Sequence, residues 1–266
     1  MSTRLGPSGL TLAPDELAGL EVAMLERQME EKMPSPLKFW GKVNGSGGDY
    51  LIAYSITPSY SFPEKKFYFC TSDNFTLKQL PPPSKYADKC AAVTGLFKGD
   101  PSFPLEEPPE EAPEAEEGVE VESFREIHRL SHTISRIDHD VAVVPVGSWI
   151  ADASKSIIAN KSYAGLSHAA AGELRNYAHF RSAESPMAIA SLEKPGLARP
   201  GDIFDGIASD KPAGCWSVGY NESATAANLK SLYWPGYFFF QCVGSGEFGG
   251  VYMGNGQANL DLAFAL

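Results

Sequence analysis

The segment Leu232-Tyr233-Trp234-Pro235-Gly236-Tyr237-Phe238-Phe239-Phe240 constrains the fold of this chain more than any other stretch. Along an extended strand successive side chains point to opposite faces, so Tyr237 and Phe239 belong to one face and Phe238 and Phe240 to the other. Both faces must then be covered, which a bare sheet cannot do. Either helices pack on one side and another sheet or subunit on the other, or some aromatic surface is left for a partner. Trp234-Pro235-Gly236 reads as a strand entering a tight turn, where Pro fixes φ and Gly takes a position that favours φ above zero. Trp234, Pro235, Tyr237, Phe238, Phe239 and Phe240 are therefore the candidate subunit-interface residues.

Around this segment the chain reads as a β-meander: Cys215 to Tyr220, Ala226 to Trp234, Tyr237 to Val243 and Gly250 to Met253, joined by polar or Gly turns. The N-terminal part opens with a helix at Pro14, with Asp15 and Glu16 at its positive end and Leu17, Leu20, Met24 and Leu25 on one face. Met33-Pro34-Ser35-Pro36 ends that helix. Short β-type runs follow at Leu37 to Val43, Tyr50 to Ile56, Lys66 to Cys70 and Ala91 to Phe97, with Asn44 to Gly48 as the hairpin loop between the first two. A second helix carries Phe124, Ile127, Ile134 and Ile137 and feeds a buried strand, Val141 to Pro145. A third starts with Ser167 as N-cap and runs toward Phe180 with Leu174 and Tyr177 inward, and Glu184 to Asp210 reads as a long surface connection. The expected class is α+β: mostly antiparallel sheet, about three helices packed on it, and a C-terminal aromatic meander. Residues 1–266 are expected to form a single domain.

Charge narrows the functional classes. The chain has 22 Lys+Arg against 33 Asp+Glu, a net −11, which disfavours nucleic acid and anionic membrane as partners. Nine of those 33 acids lie between Glu106 and Glu122, where no Lys or Arg occurs. With Pro108, Pro109 and Pro113 interspersed, about 104–122 reads as a flexible, solvated acidic loop, either inert or presenting charge to a neighbour. No signal-peptide pattern or membrane-length apolar run is visible, so an intracellular location and no transmembrane helix are expected. Cys70, Cys90, Cys215 and Cys242 are far apart and read as buried thiols in a reducing compartment.

Catalytic motifs do not emerge. Gly244-Ser245-Gly246-Glu247-Phe248-Gly249 matches GxGxxG, but a dinucleotide site needs a helix immediately after the glycines, and here β-like sequence follows. It reads as a hairpin turn. His128 and His132 lie four apart with His139 close behind, yet Arg129 stands where a metalloprotease helix carries its glutamate. These read as exposed or capping histidines. No catalytic, cofactor or metal residue is assigned, and the alternative of a small cytosolic metal- or nucleotide-dependent enzyme rests on these two motifs alone.

Taken in order, Phe39-Trp40-Gly41-Lys42-Val43, Asp49 to Ala53, Gly99-Asp100-Pro101-Ser102, Asp140 to Gly147, Ser231 to Gly236, and Val251 to Gly256 with Asn259 to Leu262 resemble the radial spoke head protein 9 family. The match runs from Phe39 to the C-terminus. The Trp-Pro-Gly segment and the following glycine hairpin also resemble radial spoke head proteins 4 and 6. The resemblance implies a non-enzymatic, cofactor-free structural subunit of the spoke head in the axoneme of motile cilia and flagella. Such a subunit is needed for spoke head assembly and for relaying mechanical signals from the central pair to the dynein arms. Its implied partners are radial spoke head proteins 4 and 6, a second copy of itself, and, transiently, the central-pair projections. The stretch from Pro104 to Glu122 and the first helix depart from the family pattern.

Overall fold

A computed structural model describes residues 8–33, 35–59, 62–106, 123–193 and 203–265. Helix α1 (Pro14–Glu30) precedes four strands, β1 (Lys38–Val43), β2 (Tyr50–Thr57), β3 (Glu64–Thr71) and β4 (Asn74–Gln79). The short α2 (Ala87–Ala92) and the long α3 (Glu126–Val141) come next. The middle of the chain holds β5 (Val143–Pro145), β6 (Trp149–Ala151), β7 (Ile157–Ala159), α4 (His168–Ala171), β8 (Tyr177–His179) and α5 (Pro186–Glu193). Strands β9 (Trp216–Tyr220), β10 (Ala226–Ser231), β11 (Tyr237–Cys242) and β12 (Phe248–Gly254) close the sequence with α6 (Leu262–Ala265).

The main sheet has eight strands in the order β4-β3-β2-β1-β12-β11-β10-β9. It is two antiparallel meanders, β1 to β4 and β9 to β12, fused side by side through one parallel pair. That pair is short: Gly41 to Val43 run beside Tyr252 to Gly254. At its first step a Cβ on Gly41 would lie 2.1 Å from the Tyr252 carbonyl oxygen, so only glycine allows the two strands to close there. β5 pairs with β8 and β6 with β7 in two small separate sheets. The class is α+β, as expected.

Each face of the large sheet has its own core. Leu130, Ile134, Ile137 and Val141 of α3 pack over Tyr50, Ile52, Leu229, Tyr237, Phe239 and Tyr252. On the opposite face Leu20 and Ala23 of α1 join Leu51, Tyr68, Leu77, Phe238, Phe240 and Val251. Both sides of the aromatic strand β11 are thus covered by this chain itself. All six β11 residues are buried, as a strand central to a two-sided core must be.

α3 also ties the two meanders together through polar contacts. Asp138 accepts the Trp40 indole N–H at 3.1 Å and pairs with Lys65 at 2.5 Å, both in the N-terminal meander. Two residues on, Asp140 accepts the Trp234 indole N–H at 2.9 Å, and the Arg136 guanidinium lies 5.4 Å from the Trp234 ring centre. At the other end of α3 the buried Glu126 accepts from the Tyr50 hydroxyl at 2.7 Å and the backbone N–H groups of Lys98 and Gly99 at 2.7 and 2.8 Å. Desolvation and the facing Glu126 push the Tyr50 phenol far up.

Several expectations need correction. Ala91 to Phe97 is not a strand: α2 occupies its start, and Phe97 makes only an isolated bridge with Gly45. β4 was not anticipated, because its alternating polar sequence Asn74–Gln79 gives an edge strand with only Leu77 fully inward. Leu25 does not share the inner face of α1, where Leu20 and Ala23 are the buried apolar residues. Ser167 does cap a helix, accepting from the Ala170 N–H, but that helix stops at Ala171. Tyr177 instead enters strand β8, because its ring fills the core and its hydroxyl donates to the Ala171 carbonyl at 2.7 Å. Val141 ends α3 rather than starting a strand, and the connection after Glu184 contains α5 and the buried Ile203 and Phe204. Gly236 has φ of 102° in the Trp-Pro-Gly turn, as read from the sequence. Most of the acidic loop, residues 107–122, lies outside the described residues; its neighbours are held side by side by the Leu105 N–H to Phe124 carbonyl bond at 3.0 Å.

Trp234→Ala removes a fully buried ring and leaves the Asp140 carboxylate without its indole donor, so unfolding free energy is expected to fall by about 3–5 kcal/mol in chemical denaturation. Pro235→Ala, at an exposed turn position, is expected to change it by no more than about 1 kcal/mol.

Candidate functional site

The parallel joint leaves the sheet split at one end. β1 begins at Lys38 and β12 at Phe248, but their ladder covers only the last three residues of each. Among the described residues, Lys38 to Trp40 and Phe248 to Val251 have no ladder partner across the gap. At about 3.3 Å per residue, each strand offers roughly 10 Å of backbone edge there. Just upstream of the joint, the pairing of β1 with β2 shifts register between Phe39 and Gly41.

The resulting cleft has a volume of about 430 Å³. Trp40, Tyr54 and Ile56 wall it on the β1 side, Phe248 to Val251 on the β12 side, and Val143, Val144, Trp149 and Phe180 close its base. Lys38 and Glu247 stand exposed at its mouth, and the Lys65–Asp138 ion pair sits inside. On the β12 wall, Gly249 and Gly250 carry no side chains, and the rings of β11 use that space: a Cβ on Gly250 would lie 2.6 Å from the Tyr237 hydroxyl, one on Gly249 3.2 Å from the Phe240 ring. Glycine at these two positions therefore makes room for the aromatic rings that line the cleft.

The six residues singled out from the sequence fall into three groups. Tyr237 and Phe240 line the cleft, and the Tyr237 hydroxyl accepts the Val143 N–H at 3.3 Å. Trp234, Phe238 and Phe239 lie inside the two cores, and Pro235 is exposed on the turn. Five of the six are therefore buried within the chain. They shape the cleft and its hairpin from within.

The other sequence motifs have local roles. Gly244 to Gly249 is the β11–β12 hairpin, with the Ser245 N–H bonded to the Cys242 carbonyl at 3.2 Å. His128 caps α3, accepting the Arg125 N–H at 3.1 Å, and packs edge-on to Tyr86. His139 binds Asp140 and Glu184 at 3.2 and 2.9 Å. Among the described residues, no group of three His, Cys, Asp or Glu side chains is placed to hold a metal ion.

A second, polar depression of about 270 Å³ escaped the sequence reading. There the His179 Nε2 lies 2.9 and 3.0 Å from the Asp210 carboxylate oxygens, and the Trp216 indole N–H donates to the same carboxylate at 2.7 Å. Arg181, Lys211 and Cys215 also line it. Burial, then the Asp210 carboxylate, pushes the Cys215 thiol up to about 11, so it is a poor nucleophile near neutral pH. Separations of 31 and 6 residues in sequence carry no motif, so only the fold brings this cluster together. All four cysteines are buried and form no disulfide with one another.

No family model matches the chain. Its full-length relatives are informative. A curated radial spoke head protein 9 homolog from Danio rerio is 35% identical over 268 residues, covering 97% of this chain and 95% of its own. Homologs of the same name from Bos taurus and Homo sapiens are 33% and 31% identical at the same coverage.

Burial, then the Arg136 charge, holds the His132 imidazole below its ordinary 6.5. The unfolded chain takes up that proton more readily, so this contribution to stability is complete above about pH 6.5 and is lost as pH falls from there toward the lower folded value. Denaturation midpoints across pH 5–7.5 are expected to show this slope in the wild type and a shallower one in His132→Gln.

Proposed function

The chain belongs to the radial spoke head protein 9 family, and on that premise we propose that it is a non-enzymatic structural subunit of the radial spoke head, docked there by an extended segment of a neighbouring subunit in the cleft between its two meanders. Its place is the axoneme of cilia and flagella. The observation that carries the role is similarity over nearly the whole chain to proteins of that name. What supports the mode of docking is the split sheet: among the described residues two backbone edges have no ladder partner across the gap, and aromatic rings line it. An added strand meets both requirements at once, because its main chain satisfies the open edges and its alternate side chains enter the aromatic walls.

In this reading the head subunits 4 and 6 are the natural donors of such a segment, and a second copy of the chain is the alternative donor. Held by its core on one side and a neighbour on the other, the chain would transmit load from the central pair toward the dynein arms as a stiff element. The nine glutamates between 106 and 122 would keep contacts with the central-pair projections transient, by repulsion reaching about 8–10 Å at physiological salt. The whole chain is proposed to act as one domain, since one sheet runs from β4 to β9.

Three measurements test this. The tagged protein is expected to stay with detergent-stripped axonemes and to leave them in strong salt together with other spoke subunits; amides of Lys38 to Trp40 and Phe248 to Val251 should exchange at least tenfold more slowly in that particle than in the isolated chain. Equal exchange in both states would move the docking site elsewhere. Replacing residues 107–122 by a short Gly-Ser turn is expected to preserve assembly, because the flanking segments are already paired, and to alter the beat. An unchanged beat would leave the acidic stretch without a role in motility.

A further inference from the structure

Helix α1 buries only one of its two apolar stripes. Leu20 and Ala23 face the sheet, whereas Val22, Leu25 and Met29 on the opposite side are 55%, 61% and 70% exposed. With Ala18, also exposed, they fall at spacings of four, three and four residues. At 100° per residue these four positions lie within about 60° of one another, along roughly 17 Å of helix. Spacing of this kind forms the seam of a helix pair, in which each apolar side chain enters a hole on a facing helix.

The borders of the stripe are acidic. Glu21 stands on one side and Asp15 and Glu26 on the other, all exposed. The one arginine of the helix is turned to the inner side, where Arg27 pairs with Glu30 and Glu31 and lies 5.6 Å from the Tyr68 ring centre. Lys32 is exposed but lies beyond the helix end.

We propose that α1 is a second docking surface, and that its occupant is an amphipathic helix of another spoke head subunit whose apolar stripe is bordered by lysines and arginines. The charges decide against the other occupants. A second copy in parallel would set Glu21 against Glu26, and an antiparallel copy would bring Glu21 opposite Gln28 with no cation to answer it. An anionic bilayer would meet the same carboxylates and be repelled. Three turns of helix are too little contact to hold two proteins by themselves, so this surface adds to the cleft by binding at a second point. The identity of the partner assembly rests on the spoke-head reading; the chemistry of the occupant rests on α1 alone.

The test uses the full-length chain in ciliated cells lacking the native protein. Leu25→Asp combined with Met29→Asp changes two side chains outside the buried cores and is expected to lower the melting temperature only slightly while axonemal retention falls at least tenfold. Glu21→Lys with Glu26→Lys is expected to weaken retention as well, from charge alone. A photoreactive side chain at Val22 should form its adduct on a helical segment of another polypeptide rich in Lys and Arg beside its apolar stripe. Full retention of the Leu25/Met29 variant, or an adduct on a second copy of this chain or on lipid, overturns the proposal. Absence of the wild-type chain from axonemes would strike at the spoke-head reading instead, and the Val22 adduct collected from whole cells would still decide what covers α1.

Discussion

Two carboxylates two residues apart, Asp138 and Asp140, hold an indole from each half of the sheet, and the rest of the architecture depends on that clasp. The β1–β12 joint is only three residue pairs long and parallel, the weaker kind of ladder. Alone it would be a hinge. α3 crosses it with Asp138 bound to Trp40 and Lys65 on one side and Asp140 bound to Trp234 on the other. The Trp40 and Tyr252 rings also meet across the joint, with centres 5.6 Å apart. A helix bound to both halves turns two meanders into one sheet.

The same joint creates the cleft. Strands that close at Gly41 and diverge upstream leave two edges facing each other with space between them. An internal edge of this kind is protected from indiscriminate pairing, because only a single strand can enter it from the open end. Buried aromatic side chains keep the gap from collapsing: Tyr237 and Phe240 lie across the glycines of β12, and Tyr237 is tied to the Val143 backbone. The aromatic segment therefore acts as the scaffold of the cleft, with the hairpin after it as a wall.

Much of this was legible from local chemistry. Alternation placed Tyr237 and Phe239 apart from Phe238 and Phe240, Trp-Pro-Gly marked its turn, and Asn44 to Gly48 marked a hairpin loop, because period and turn preference are local properties. The errors came where tertiary burial outweighed local preference. Tyr177 left a helical pattern for a strand because its ring and hydroxyl are satisfied in the core. Leu25 was grouped with Leu20 on the expectation that apolar residues of a helix share one face, whereas α1 has two apolar stripes and the sheet takes only one of them.

What the sequence determined by itself was therefore composition and period: an α+β chain with a strand that must be covered on both sides, an acidity concentrated in one stretch, and ordered segments matching one family. Tertiary structure alone decided which edges meet. The pairing of residue 41 with residue 252, the clasp of two tryptophans by one helix end, the open gap between β1 and β12, and the gathering of His179, Asp210 and Trp216 all join residues distant in sequence. Local patterning constrains each element to its own shape, but contacts between elements are set by how their buried surfaces fit together, and that fit has no signature in any single segment.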